Sequence, residues 1–310
     1  MTIKLKRFYF GALLFSWCSW IPFGASQAGI IDIQIPWEIV LLGQFGPSVI
    51  AIILIYFYDG GIALKAFFKK CLNFNIKFKW FLIPVTIAPA IGILCLLFSK
   101  FFGVSIPTLD DFFHWPAVYA EDYGSGGPYT LQGELVYNLG FVDYLKSIVL
   151  QSPLAAVIIF VLLSIITGPI SEEFGWRGFL LPRLLSKNNQ LKSSIILGLL
   201  WGFWHTGPDF WTFVFEGKIY ALIYPVAITL GTVPLSILFT YLYIQTKGSL
   251  IPIMIFHASF NGTLYVLSLI WDSQSVYITS AELILGLWIL SFFIIWKNKE
   301  RWIQRGIKSF

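Results

Sequence analysis

Three short stretches place acid, base and amide side chains inside otherwise apolar sequence. The first is Ser171-Glu172-Glu173-Phe174-Gly175-Trp176-Arg177. On a helix, Glu173 and Arg177 share a face and can pair. Glu172 points about 100° away from them and has no local cation, so it is free to act as a general base. The second is Trp201-Gly202-Phe203-Trp204-His205. The third is His257-Ala258-Ser259-Phe260-Asn261, whose His and Asn also project from one helical face. Each stretch has a plain structural alternative. These are a salt-bridged helix end, a histidine packed among aromatics, and a His/Asn pair that glues membrane helices together.

Taken together, the three stretches favour chemistry. A charged side chain inside a bilayer costs about 2.5–3.5 kcal/mol on insertion scales. Two glutamates, an arginine, two histidines and an asparagine are cheaper to bury around one hydrated cavity than separately. A glutamate beside two neutral imidazoles can activate water. It can do so with a metal held by His205, His257 and Glu172, as in His₂Glu zinc sites, or without one. The third histidine, His114, reads as an ordinary surface residue of an outer loop.

The elements that position these groups read as membrane helices. Of the 310 residues, 57% are apolar and only 12% charged. Soluble domains carry about 25% charged residues. The mean hydropathy of +0.77 excludes a water-soluble globule and a disordered chain alike. Runs long enough to cross a core of about 30 Å are expected at 8–26, 38–58, 80–103, 147–171, 190–206, 219–245, 249–271 and 279–296. The fifth is short, so it is either tilted or continued by re-entry of the 208–215 stretch. The fold class is therefore all-α, a polytopic membrane protein of about eight spans with a polar intramembrane cavity. Three regions follow: 1–146 with helices 1–3, 147–271 with the polar core, and 272–310 with the last helix and a basic tail.

Charge placement gives the expected orientation. The net charge is +5. Lysines and arginines gather before span 1, at 65–79, around 177–192, at 247 and after span 8. Most acids fall in the alternate loops. That asymmetry predicts cytoplasmic termini. No basic stripe or recognition motif points to nucleic acid. The first apolar run is expected to be a retained helix rather than a cleaved leader. Cys18, Cys71 and Cys95 lack metal or disulfide spacing and read as packing residues. Residues 59–79 mix Phe and Leu with Lys, as a helix lying on the inner leaflet would. Residues 104–146 form a long outer loop. Gly198 and Gly202 make a GxxxG, which suits close helix contact.

The three stretches, in this order and spacing, resemble the CAAX-protease and bacteriocin-processing (CPBP, or Abi) family of intramembrane proteases. Glu172, Glu173 and Arg177 match its first motif. His205 matches its second, with Trp201 where the family more often has Phe. His257 and Asn261 match its third. The likeness covers about residues 147–271. It implies a cavity open to the cytoplasmic leaflet and Glu172 as the base that activates water, with help from His205. It implies His257 and Asn261 as stabilisers of the oxyanion, and Glu173, Arg177 and Trp201 as supports. Zinc-assisted and metal-free schemes are both argued for the family, and the two-histidine set here leans to the metal-free one. The implied partners are a membrane-proximal peptide or protein substrate and the lipid bilayer. The Lys/Ile/Phe-rich composition fits a bacterial inner membrane, where a prenylated substrate is not expected. Two rival readings are a non-catalytic immunity or scaffold protein and a transporter. The second lacks the two related halves expected of one.

Overall fold

The computed structural model describes residues 3–27, 29–36, 38–104, 130–131, 134–135, 162, 165–207, 220–270 and 273–303. Most of the expected span 147–171, His114 with most of the 104–146 loop, the 208–215 stretch and residues 304–310 of the basic tail lie outside them.

Among the described residues the chain is helical apart from one short ladder, in which Thr130–Leu131 pairs antiparallel with Glu134–Leu135. The helices are α1 (Ile3–Gln27), α2 (Glu38–Gln44), α3 (Gly46–Cys71) and α4 (Lys79–Ser99). A continuous run, α5, follows from Ile166–Ile170 through Ser171–Glu173 and Phe174–Leu180 to Leu181–Leu185. Then come α6 (Gln190–Trp204), α7 (Tyr220–Gln245), α8 (Ile251–Ile270), α9 (Ser273–Lys297) and α10 (Lys299–Ile303). This is an all-α polytopic membrane protein.

Four of the described helices are long and apolar enough to cross a bilayer: Ile3–Ser26, Gly46–Cys71, Lys79–Ser99 and Pro225–Gln245. They answer to the first, second, third and sixth expected runs. The seventh and eighth runs are helical in α8 and α9. With 15 residues, α6 is only about 22 Å long, short of a full crossing. Large apolar side chains such as Phe10, Leu14, Phe57, Leu94, Leu97 and Ile289 face outward. A water-soluble protein would bury them, whereas hydrocarbon solvates them.

The chain divides into two compact units. The first holds Met1–Val85, Ile165–His257 and Ile284–Phe310. Its helices are set by local signals. Pro47 lies in the first turn of α3, where its missing N–H costs nothing. At the start of α6 the Asn189 side chain accepts a 2.8 Å bond from the Lys192 backbone N–H, a helix N-cap. Gly60 breaks α3 with φ +80°, a value that L side chains rarely adopt. α5 is wound as a π-helix at Ile166–Ile170 and again at Phe174–Leu180. Such bulges mark functional sites in many proteins.

The second unit holds Thr86–Ser164 and Ala258–Leu283. In it, Val104 and Leu267 pack together with Leu96. The Ser99 hydroxyl donates to Glu282 Oε2 at 2.5 Å.

In the first unit, α6 and α7 meet at the expected GxxxG. A Cβ on Gly198 would lie 2.6 Å from Val233 Cα, and one on Gly202 2.7 Å from Thr229 Oγ1. Thr232 Oγ1 completes the contact by donating to the Gly198 carbonyl at 2.9 Å. Gly198→Ala is therefore expected to overpack this seam and to destabilise the protein by about 1–3 kcal/mol. Thermal unfolding in detergent, compared with Leu199→Ala on the exposed face, measures the difference.

Candidate active site

α5 presents Glu172, Glu173 and Arg177 toward α6, α7 and the start of α8. All three are buried, as is His257. The expected i,i+4 pair forms: Arg177 Nη1 lies 3.0 Å from Glu173 Oε1, both side chains fully enclosed. The same oxygen meets His257 Nδ1 at 2.7 Å. One carboxylate oxygen thus holds a cation on its own helix and a ring on α8.

Arg177 is also sandwiched by aromatic faces. Its guanidinium carbon lies 4.0 Å from the Trp201 ring centre and 4.6 Å from that of Phe239. An arginine is suited to this, being planar and weakly hydrated. Its Nε and Nη2, together with Glu173 Oε2, are buried without a hydrogen-bond partner among the described residues. Such unmet polar capacity is uncommon in native interiors.

Glu172 takes a different partner. Trp201 Nε1 donates to Glu172 Oε2 at 2.6 Å. The indole therefore serves two carboxylates, one by its N–H and the other through the arginine on its face. The sequence marks Trp201 only as a departure from the family's usual phenylalanine. The structure gives it a bond that phenylalanine has no means to make.

His205 caps the end of α6 and is half-buried. Its Nδ1 lies 2.9 Å from the Trp201 carbonyl, which makes Nδ1 the protonated nitrogen and leaves the Nε2 lone pair outward. The ring packs 4.7 Å from Trp204 and 5.6 Å from Trp201, centre to centre. In the first unit the structure thus gathers Glu172, Glu173, Arg177, Trp201, His205 and His257. Asn261, half-buried, follows His257 by one turn of α8, in the residues of the second unit.

Three residues of this neighbourhood escaped sequence reasoning. Phe239 lies inside a uniform apolar run and carries no local signal; it contacts Arg177 and, at 5.8 Å between ring centres, His257. Ser16 and Trp17 lie on α1, far from the motifs in sequence. Trp204 Nε1 donates to Ser16 Oγ at 2.8 Å, and Trp17 Nε1 donates to the Trp204 carbonyl at 3.0 Å. Both bonds steady the end of α6 beside His205.

Among the described residues no three His, Cys, Asp or Glu side chains converge closely enough to hold one metal ion. The donor set His205, His257 and Glu172 is thus not arranged as a ligand shell.

Residues 154–263 match the family model described as type II CAAX prenyl endopeptidase Rce1-like. That segment contains every motif residue from Glu172 to Asn261. The chain is also 24% identical over 275 residues to CAAX prenyl protease 2 of Methanococcus maripaludis, across 88% of this chain and 86% of that one. The class indicated is the membrane protease, a hydrolase of peptide bonds. Within that class the likeness is to the CPBP intramembrane proteases, as the motifs imply.

Glu173→Gln breaks a fully buried ion pair and strands Arg177 without its counter-charge. A loss of about 3–5 kcal/mol of stability is expected. Adding Arg177→Met should recover much of it. Denaturant-induced unfolding of the two variants in detergent tests the pairing.

Proposed function

We propose that this chain is an intramembrane endopeptidase in which Glu172 activates the hydrolytic water. The observation that carries the proposal is the division of labour between adjacent glutamates. Glu173 is committed to Arg177 and His257, whereas Glu172 is held by a single neutral donor, Trp201. The charge of Glu173 is thus taken up by the arginine and the imidazole, which leaves Glu172 as the carboxylate available to take a proton.

In this reading, water attacks the scissile carbonyl carbon while Glu172 takes its proton. The developing oxyanion is met by His257 and Asn261, adjacent on one face of α8. His257 turns Nδ1 to Glu173, so Nε2 is the ring nitrogen left to face substrate, where it donates to the oxyanion with the ring carrying both protons. The C–N bond then breaks, and the proton held by Glu172 passes to the leaving amine. His205, whose Nε2 is likewise free, assists proton movement. Glu173, Arg177 and Trp201 keep the other groups in place.

The substrate is a membrane-proximal peptide, cut near the cytoplasmic face. Both termini lie in the cytoplasm, and the setting is a bacterial inner membrane. Residues 147–271 form the catalytic core. An apolar groove of about 380 Å³, lined by Leu199, Phe203, Pro225, Val226 and Leu230 with two threonines, lies on the exposed face of α6, on the other side of the helix from Trp201 and His205. The curated relative's name makes a prenylated C-terminal peptide the first synthetic substrate to try.

Glu172→Gln is expected to abolish cleavage while the protein stays folded. New peptide termini in membranes expressing wild type, compared by mass spectrometry with those expressing the variant, provide the readout. Near-normal activity of the variant would move the base elsewhere. Trp201→Phe keeps the aromatic contact with Arg177 but removes the donor to Glu172, and should lower kcat by about tenfold, the scale of one net hydrogen bond.

Chelation separates the two chemical schemes. Activity is expected to survive 1,10-phenanthroline. Loss that added zinc restores would instead make His205, His257 and Glu172 metal ligands.

A further inference from the structure

We propose that residues 61–79 form a binding surface for the headgroups of anionic phospholipids, built against the back of the helices that carry Glu172, Glu173 and His257. Three observations lead to it.

The first is uncompensated charge. Between residues 60 and 79 there are lysines at 65, 69, 70, 77 and 79 and no acidic residue. All five lysines are exposed. The preceding acid, Asp59, is already met by Lys4 at 3.2 Å and by Arg183 at 3.8 Å. Among the described residues, Lys65, Lys69, Lys70 and Lys77 make no salt bridge. Lys79 lies 4.8 Å above the Trp80 ring.

The second is what stands between the lysines. Ile62 is 90% exposed, Phe74 65% and Phe78 72%. Lysines interleaved with exposed aromatic and aliphatic side chains match a headgroup layer, where ammonium groups meet phosphates and apolar groups sink toward the acyl chains. An acidic soluble partner would need only the charge. A groove of about 520 Å³ lies here, lined by Lys69, Lys70 and Asn73 on its polar side and by Ala66, Leu72 and Phe74 on its apolar side. A phosphodiester bearing acyl chains has this same division.

The third is anchorage. The Gly60 break redirects the chain, and the following helical segment packs by its inner face on α5. Phe67 and Phe68 lie 6.2 and 5.3 Å from the ring of Phe174, the neighbour of Glu173. At its end, the Leu250 N–H donates to the Cys71 carbonyl and the Ser249 hydroxyl to the Asn73 carbonyl, each at 2.8 Å. Those bonds fix the basic segment to the residues that start α8. The lysines are exposed beside these contacts, with the Lys70 side chain lying along Gly248 in the turn before α8. The surface is therefore held rigidly to the site, and lipid bound there is in mechanical contact with both motif helices.

The test uses the full-length protein in mixed micelles of equal phosphatidylglycerol and phosphatidylcholine, with retained lipids counted by native mass spectrometry. Its readout is independent of proteolysis, so it stands or falls apart from the proposed activity. Wild type is expected to retain phosphatidylglycerol several-fold over phosphatidylcholine. Lys69→Gln with Lys70→Gln should reduce that preference by roughly tenfold, and Lys69→Arg with Lys70→Arg should keep it. Lys297→Gln with Lys299→Gln, in the other basic segment, should leave it unchanged. Circular dichroism melting confirms that the exposed substitutions leave the fold intact. Equal retention of both lipids by wild type overturns the proposal. So does a preference that survives the first variant, or one that falls equally in the last.

Discussion

A single carboxylate oxygen, Oε1 of Glu173, organises the site. It binds Arg177 four residues along its own helix and His257 eighty-four residues away. Both contacts are buried, so solvent screens neither of them. Desolvating an acid and a base together rarely adds net stability. It does impose geometry, because removing either partner leaves a bare charge inside. α5 and the start of α8, as far as His257, are thereby held at one register. The orientation of the His257 ring follows from the same bond.

Around that oxygen the protein is built of aromatic plates. Trp201 and Phe239 enclose the arginine. Trp201, Trp204 and Phe239 flank the two imidazoles. Rings of this size exclude water while offering quadrupoles and, in tryptophan, one N–H. Their use explains how so polar a cluster exists within an apolar bundle. Each charge meets an opposite charge, a π-face or, at Glu172, an indole N–H, and the low dielectric around them strengthens these contacts.

The parts of this arrangement legible in the sequence were those with a short period. The Glu173–Arg177 pair follows from spacing four, and it forms although the helix is π-wound there. The shared face of His257 and Asn261 follows from the same spacing, and the GxxxG seam was read correctly as a close approach. Hydropathy gave the all-α membrane class because transfer energy depends on composition alone. Contacts between distant segments were not legible. Nothing local distinguishes Phe239 from other apolar residues of its helix, or shows that the Trp201 N–H turns to Glu172 rather than to solvent. The Gly60 break was hidden as well. Two adjacent glycines mark a weak point, but the positive φ at the first of them is set by how the next segment packs.

The bonds from α1 to the end of α6 bear on what counts as a catalytic domain. The matched segment, 154–263, contains the motif residues but omits Ser16, Trp17 and Trp20. Ser16 accepts from Trp204 and itself donates to the Gly43 carbonyl at 2.6 Å. The Trp20 ring packs against Trp204 at a tilt of 59°, with 4.7 Å between ring centres. A fragment cut to the matched segment would therefore expose the Trp204 indole and release the turn that carries His205. The boundary of the family-model match is thus not a boundary of cooperative folding. The N-terminal helix, whose sequence carries none of the motifs, is as much a wall of the site as the helices that do.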